Sequence, residues 1–289
     1  MNDDEVGEIM QRDAERAHAL EEQTVAELLR TTGENTSETS SENAQPMSVH
    51  ELMEKYGVTA EDFQAVCEEN PQLITCVGGG KTCEELAKSA DRVQTKYQNG
   101  QPITGKCLPG VRSIYSQCKN DSLSCKAAQE AIVRSRLPYQ STNGGGNGFV
   151  ALEASGNYIT LAIENKAYGT PKNSAENAEM NRFVKGVQPG ITLTVDSIED
   201  PAMRQKCGNN NGGKYGHIAV KRHDNCWGCD FKQDTINFSR YGRYARVCVP
   251  TDAIVSGKYT QKLIERAQNR QQANSQNLQM AAIRNRSYE

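Results

Sequence analysis

Three observations in the sequence predict an α+β fold. Helical patterning fills the chain as far as the segment that follows Cys107, β-forming runs dominate from residue 149 to 250, and Gly, Asn and Pro clusters separate those runs. Helices first and strands after, without regular β–α–β alternation, is the order of an antiparallel sheet packed by helices. A chain of 289 residues with 36% hydrophobic content has room for one core of ordinary size plus extensions.

Residues 1–46 read as an acidic helix followed by a disordered linker. Val6, Ile9, Met10, Ala17, Leu20, Val25 and Leu28 recur near helical spacing on a charged background. The stretch TTGENTSETSSENAQP is almost free of apolar groups and cannot bury enough surface to order itself. Residues 47–99 read as a small helical region, opened by three capping-box pairs: Ser48 with Glu51, Thr59 with Asp62, and Thr82 with Glu85. The glycines of VGGGKT resemble a phosphate loop, but that pattern needs a glycine where Thr75 stands, so they are read as a turn.

Residues 100–255 are expected to hold the main domain. A helix starts near Cys107, a second spans about 122–136, and STNGGGNG is a loop. FVALEA (149–154) and YITLAIE (158–164) then read as a hairpin, and a helix covers about 173–186. Strands follow at 189–195, 216–221, 229–233 and 243–250. Residues 256–289 read as a helix ending in a polar tail.

The net charge of −3 hides an asymmetry: residues 1–70 carry 18 acidic and 4 basic side chains, so the remainder is strongly basic. A basic domain favours an anionic polymer or an acidic protein as partner, and the acidic extension is expected either to shield the basic face or to meet an export or chaperone partner. The absence of any run of about 18 apolar residues argues against a membrane span. The start MNDDEVGEIM is acidic where a signal peptide is basic and then apolar. Ten cysteines nevertheless suit an oxidising compartment or thiol chemistry. The expectation is a secreted or periplasmic protein on a signal-independent route, with the cytoplasm as the alternative.

Chemistry centres on ITGKCLPGVRSIYSQC. A nucleophilic cysteine must become a thiolate, and a helix start favours that with its partial positive charge and unpaired N–H groups. Cys107 stands there, and Leu108, Val111, Ile114 and Tyr115 supply the buried stripe of the helix behind it. Its backbone N–H is a candidate oxyanion donor. Of four histidines, His217 begins a strand, whereas His223 sits in the polar tip RHDN. A hairpin turn centred between His223 and Asp224 sets His217 opposite Asp230, close enough for the carboxylate to orient the imidazole.

GKCLPGV opening a helix, QPGITLTV, and YGHIAV followed by DFKQ together resemble the papain-like cysteine amidases and peptidases that include the CHAP and NlpC/P60 peptidoglycan hydrolases. The resemblance covers about residues 100–250 in short islands. It implies a papain-like core, a Cys107–His217–Asp230 triad, hydrolysis of amide bonds in peptidoglycan peptides without a cofactor, and an oxyanion role for Gln101. The same chemistry would serve a secreted effector acting on proteins as protease, deamidase or acyl transferase. From another class, the chain would be a noncatalytic module stapled by cysteines, and the Arg/Tyr interleaving of SRYGRYARV also suits nucleic acid. Long inserts at 141–180 and 196–215 depart from the family.

Taken alone, Cys107 is also compatible with a packed thiol or a disulfide partner. Cys207, Cys226, Cys229 and Cys248 have spacings that allow two disulfides, free thiols or a structural zinc site. Cys118 and Cys125 flank a short turn and suit a disulfide, and Cys67, Cys76 and Cys83 supply at least one unpaired thiol.

Overall fold

Local sequence accounts for the start of the structured chain. A computed structural model describes residues 44–118, 125, 126, 129, 132, 144–206 and 212–286. The expected helix at 5–30, most of the linker and most of the expected helix at 122–136 lie outside them. The described residues fall in one compact unit, 42–289. After strand β1 (Met47–Ser48), Ser48 and Glu51 close a reciprocal capping box on helix α1 (Val49–Tyr56). Thr59 and Asp62 do the same for α2 (Ala60–Glu69). Each box satisfies backbone donors that the first helical turn leaves unpaired.

The third expected box does not form. Helix α3 (Gly80–Asp91), which follows β2 (Val77–Gly78), begins before Thr82 and is capped by Gly79 at φ 69°. Thr82 lies inside the first turn, where its N–H donates to Asp252 Oδ2 at 2.9 Å. A distant carboxylate thus replaces the local cap.

The hairpin β3 (Tyr97–Gln98) and β4 (Gln101–Pro102) leads into α4 (Cys107–Ser116). Helix α5 (Gly144–Ala154) then occupies the place expected for a strand at 149–154. The consecutive apolar residues there fit either period, and tertiary packing decides. Leu152 is buried, and Phe149 lies under the Arg246 guanidinium at 4.0 Å. A Cβ on Gly148 would come within 2.6 Å of Ile218 Cδ1, so this turn lies directly against the sheet and a larger residue would require the Ile218 side chain to shift.

The main sheet takes β5 (Tyr158–Glu164), β6 (Thr192–Val195), β7 (His217–Lys221), β8 (Trp227–Gly228), β9 (Lys232–Gln233) and β10 (Tyr244–Pro250) in the order β5-β10-β6-β7-β8-β9. Every ladder is antiparallel. Helix α6 (Ala175–Lys185) and the short α7 (Pro201–Lys206) and α8 (Gly212–Tyr215) fill the connections. The architecture is therefore α+β, and β5 pairs with β10 rather than with 149–154.

The helical region and the last helix, α9 (Gly257–Arg286), are joined to this body. Strand β11 (Ile254–Val255) pairs with both β1 and β2. α9 packs on α1 and α2, where Arg270 clasps the buried Asp62 at 3.0–3.2 Å and donates to Gly57 O at 2.7 Å.

Candidate functional site

The start of α4 and the start of β7 meet, because α4 packs along β7. Cys107 is the first residue of α4, and its Sγ lies 3.4 Å from His217 Nδ1. Its N–H and that of Leu108 have no intrahelical acceptor, while Pro109 contributes no donor. The preceding donor, Lys106 N–H, is taken by Asp230 Oδ2 at 2.6 Å. His217 is 2% exposed and its ring stacks on Tyr241 with centroids 5.3 Å apart.

Asp230 does not hold the imidazole. The β7–β8 ladder pairs Val220 with Gly228 and Lys221 with Trp227, then stops, so no residue of β8 stands opposite His217. The turn is centred on Asp224, half a residue later than the sequence suggests, and the chain bends again at 229–231 before β9. Asp230 therefore caps the approach to α4, and its other oxygen lies 3.1 Å from Cys229 Sγ. The group on His217 Nε2 is Gln233, whose Nε2 lies 2.8 Å away. In this orientation the amide donates to the ring and leaves the imidazole proton on Nδ1, facing sulfur. Half a turn of the amide places its oxygen there and frees Nδ1 as a base.

Cys229 is the second unexpected neighbour. Its Sγ lies 3.3 Å from Cys107 Sγ, and Cys107, His217 and Cys229 present ligand atoms all within 4.8 Å of one another. Gly110 makes this possible. A Cβ there would fall 2.3 Å from the backbone of Cys229 and Asp230, so the bare helix surface admits the 229–230 segment.

Electrostatics set a neutral resting pair. The Cys229 sulfur, burial and the Asp230 carboxylate push the Cys107 thiol well above its ordinary value, against the thiolate expected from the helix start. Burial lowers His217 to about 4, with Asp230 opposing that shift. The imidazole is thus uncharged near neutrality, with its ring nitrogen lone pair available, and the resting pair is thiol and neutral imidazole rather than an ion pair.

The remaining sequence candidates separate. Gln101 is exposed on the β3–β4 hairpin, and no hydrogen bond links it to Cys107. Cys118 and Cys125 form the expected disulfide. Cys226, Cys229 and Cys248 are free thiols, which rules out the two-disulfide arrangement, and Cys207 lies outside the described residues. They do not assemble a zinc site either: among the described residues the three-ligand group contains Cys229 but neither Cys226 nor Cys248. Cys226 turns to Asp234 Oδ1 at 3.0 Å. Gln233 stands in the DFKQ segment itself, so the signal for it was present three residues beyond Asp230.

No helix among the described residues is long and apolar enough to cross a membrane. No family model, curated protein or solved structure matches the chain.

Proposed function

We propose that the chain is a cysteine amidase or endopeptidase of papain-like type, with Cys107 as nucleophile, His217 as base and Gln233 as the group that orients the ring. The observation that carries this reading is the 3.4 Å contact between Cys107 Sγ and His217 Nδ1 at the junction of a helix start and a strand start. In the reaction, His217 takes the thiol proton as sulfur attacks the amide carbonyl. The N–H groups of Cys107 and Leu108 receive the developing oxyanion. The protonated imidazole then gives its proton to the departing amine, leaving an acyl-thioester. Water, deprotonated by His217, releases the acid and restores the thiol.

Peptidoglycan peptides are the preferred substrate class, on the strength of the resemblance of GKCLPGV, QPGITLTV and YGHIAV to wall hydrolases and the basic charge of the folded part. Cys107→Ala and His217→Ala should each lower the release of new amino groups from peptidoglycan by about 10⁴-fold while leaving the protein folded. Equal rates for the native chain and Cys107→Ala would overturn the reading. A panel of protein substrates assayed beside peptidoglycan separates the effector alternative.

A further inference from the structure

We propose that Cys107, His217 and Cys229 form a binding site for one thiophilic divalent cation of the zinc class, with its fourth position open on the Cys107 side. This inference does not depend on the hydrolase reading, because it rests on ligand geometry alone.

A zinc ion bound at about 2.3 Å to sulfur and about 2.0–2.1 Å to nitrogen sets tetrahedral edges of about 3.8 Å between sulfurs and about 3.5 Å between sulfur and nitrogen. The protein holds the two sulfurs 3.3 Å apart and Cys107 Sγ 3.4 Å from His217 Nδ1. All three ligand atoms lie within 4.8 Å of one another, so admitting the ion takes an opening of about 0.5 Å between the sulfurs and closure of the Cys229–His217 edge to about 3.5 Å, within reach of side-chain rotation. Two sulfurs and an imidazole are a soft donor set, which selects zinc, cadmium or cobalt and disfavours magnesium and calcium.

The ligands come from three separate elements: the first residue of α4, the first residue of β7, and the turn between β8 and β9. Their positions are therefore held by the fold rather than by one mobile loop. His217 and Cys229 are 2% and 1% exposed, while Cys107 is half-buried and is the most exposed of the three ligands. A surrounding shell supports the set, as ligating histidines require. Gln233 holds His217 Nε2 at 2.8 Å, Tyr241 stacks on the ring, and Asp230 brings a carboxylate 3.1 Å from Cys229 Sγ.

Binding converts two thiols to thiolates, so one cation enters, two protons leave to solvent, and no electrons move. The bound ion occupies the Cys107 sulfur that nucleophilic attack needs. Metal binding and thiol chemistry are thus mutually exclusive at this site.

The test is a Co²⁺ titration of the full chain, prepared without oxygen or reductant so that the Cys118–Cys125 bridge stays intact. The expected result is one Co²⁺ per chain, with thiolate-to-cobalt absorption and visible tetrahedral bands that Zn²⁺ bleaches. Cys229→Ser and His217→Ala should weaken binding by at least about tenfold, while Cys226→Ser binds as the native chain does. Zn²⁺ should also protect Cys107 and Cys229 together from iodoacetamide in the native chain, read by peptide mass, which needs no variant to fold. Absence of the cobalt bands, bands that survive in a folded Cys229→Ser, or alkylation of Cys107 unaffected by Zn²⁺ would each overturn the proposal. A chain that binds Co²⁺ here yet cleaves no amide defeats the hydrolase reading alone. An active chain blind to Co²⁺ defeats only the metal site.

Discussion

Strand β7 carries buried ionisable groups at both ends, and the two ends treat them differently. At the far end, Lys221 is fully buried, yet its Nζ donates to Lys185 O at 2.9 Å and Asn225 O at 3.1 Å and sits over the Trp227 ring at 4.9 Å. Beside it, Arg222 donates to Ala90 O and Val93 O at 2.8 Å and forks onto Asp224 at 3.0 Å. Those donors are committed to backbone carbonyls and to the Asp224 carboxylate, so this end is fixed. At the near end, His217 meets a thiol and an amide, neither of which carries a full countercharge, and its pKa falls to about 4. Burial alone therefore does not mark a functional site. The mark is a buried titratable group whose partners can exchange a proton with it.

The contrast breaks most directly at Gly110. Gly110→Val would put a Cβ 2.3 Å from the backbone of Cys229 and Asp230 and push that segment off α4. Overpacking of this kind costs about 1–3 kcal/mol, and Cys229 should separate from Cys107. Thermal melting and amidase rate should both fall, whereas a variant as stable and active as the native chain would show that the close approach is dispensable.

The pH dependence of stability sharpens the comparison next. His217 is neutral in the fold down to about pH 4, while its ordinary value is 6.5. Its neutral form is thus favoured on folding, and stability present above about pH 6.5 is lost as pH falls toward about 4, because the unfolded chain takes up the proton first. The loss attributable to this group is on the order of 3 kcal/mol. Denaturant melts at pH 7 and pH 4.5 should show that slope in the native chain and a shallower one in His217→Asn. Identical slopes would mean the imidazole is not held neutral.

A paired experiment follows. Lys221→Met leaves the carbonyls of Lys185 and Asn225 without their donor, which should cost about 1–3 kcal/mol in stability and spare the rate per folded molecule. Gln233→Ala should do the reverse, lowering kcat by about 10–100-fold with little change in melting temperature. Asp230→Asn should fall between them, since Asp230 holds Lys106 N–H at the start of α4 rather than the imidazole. A rate loss in Lys221→Met at unchanged stability would erase the distinction between the two ends.

How much of this was legible depends on how local the cause is. The Ser48 and Thr59 capping boxes, the β7 and β10 strands and the Cys118–Cys125 bridge follow from neighbours within a few residues, and they stand as read. Cys107 and His217 were also legible, because a helix start and a strand start each leave a sequence signature. Residues 149–154 were not: their apolar run fits strand or helix, and Ile218 and Arg246, far along the chain, settle it. Asp230 was misplaced because the β7–β8 ladder ends at Val220–Gly228 and the chain turns back into β9, which brings Gln233 to the imidazole instead. Cys229 was hidden by its three-residue spacing from Cys226, which suggests a shared role, whereas the fold sends the two sulfurs to different partners.

The smallest expected effect comes from His223, which lies near the fixed end of β7 but outside its buried network. Its side chain is 41% exposed and contacts Asp91 Oδ2 at 2.7 Å and Glu84 Oε2 at 3.5 Å. The Asp91 hydrogen bond leads the causes that raise its pKa above the ordinary 6.5. A raised value means the charged form is favoured on folding, so the contribution is full below about pH 6.5 and disappears as pH rises through the raised value. Solvent screening keeps an exposed pair of this kind to no more than about 0.5 kcal/mol. His223→Ala should accordingly shift a denaturant midpoint slightly at pH 5.5 and not at all at pH 9, opposite in direction to the His217 dependence. A midpoint shift at pH 9 as large as that at pH 5.5 would show that His223 acts through packing of the 222–226 turn instead of through its charge.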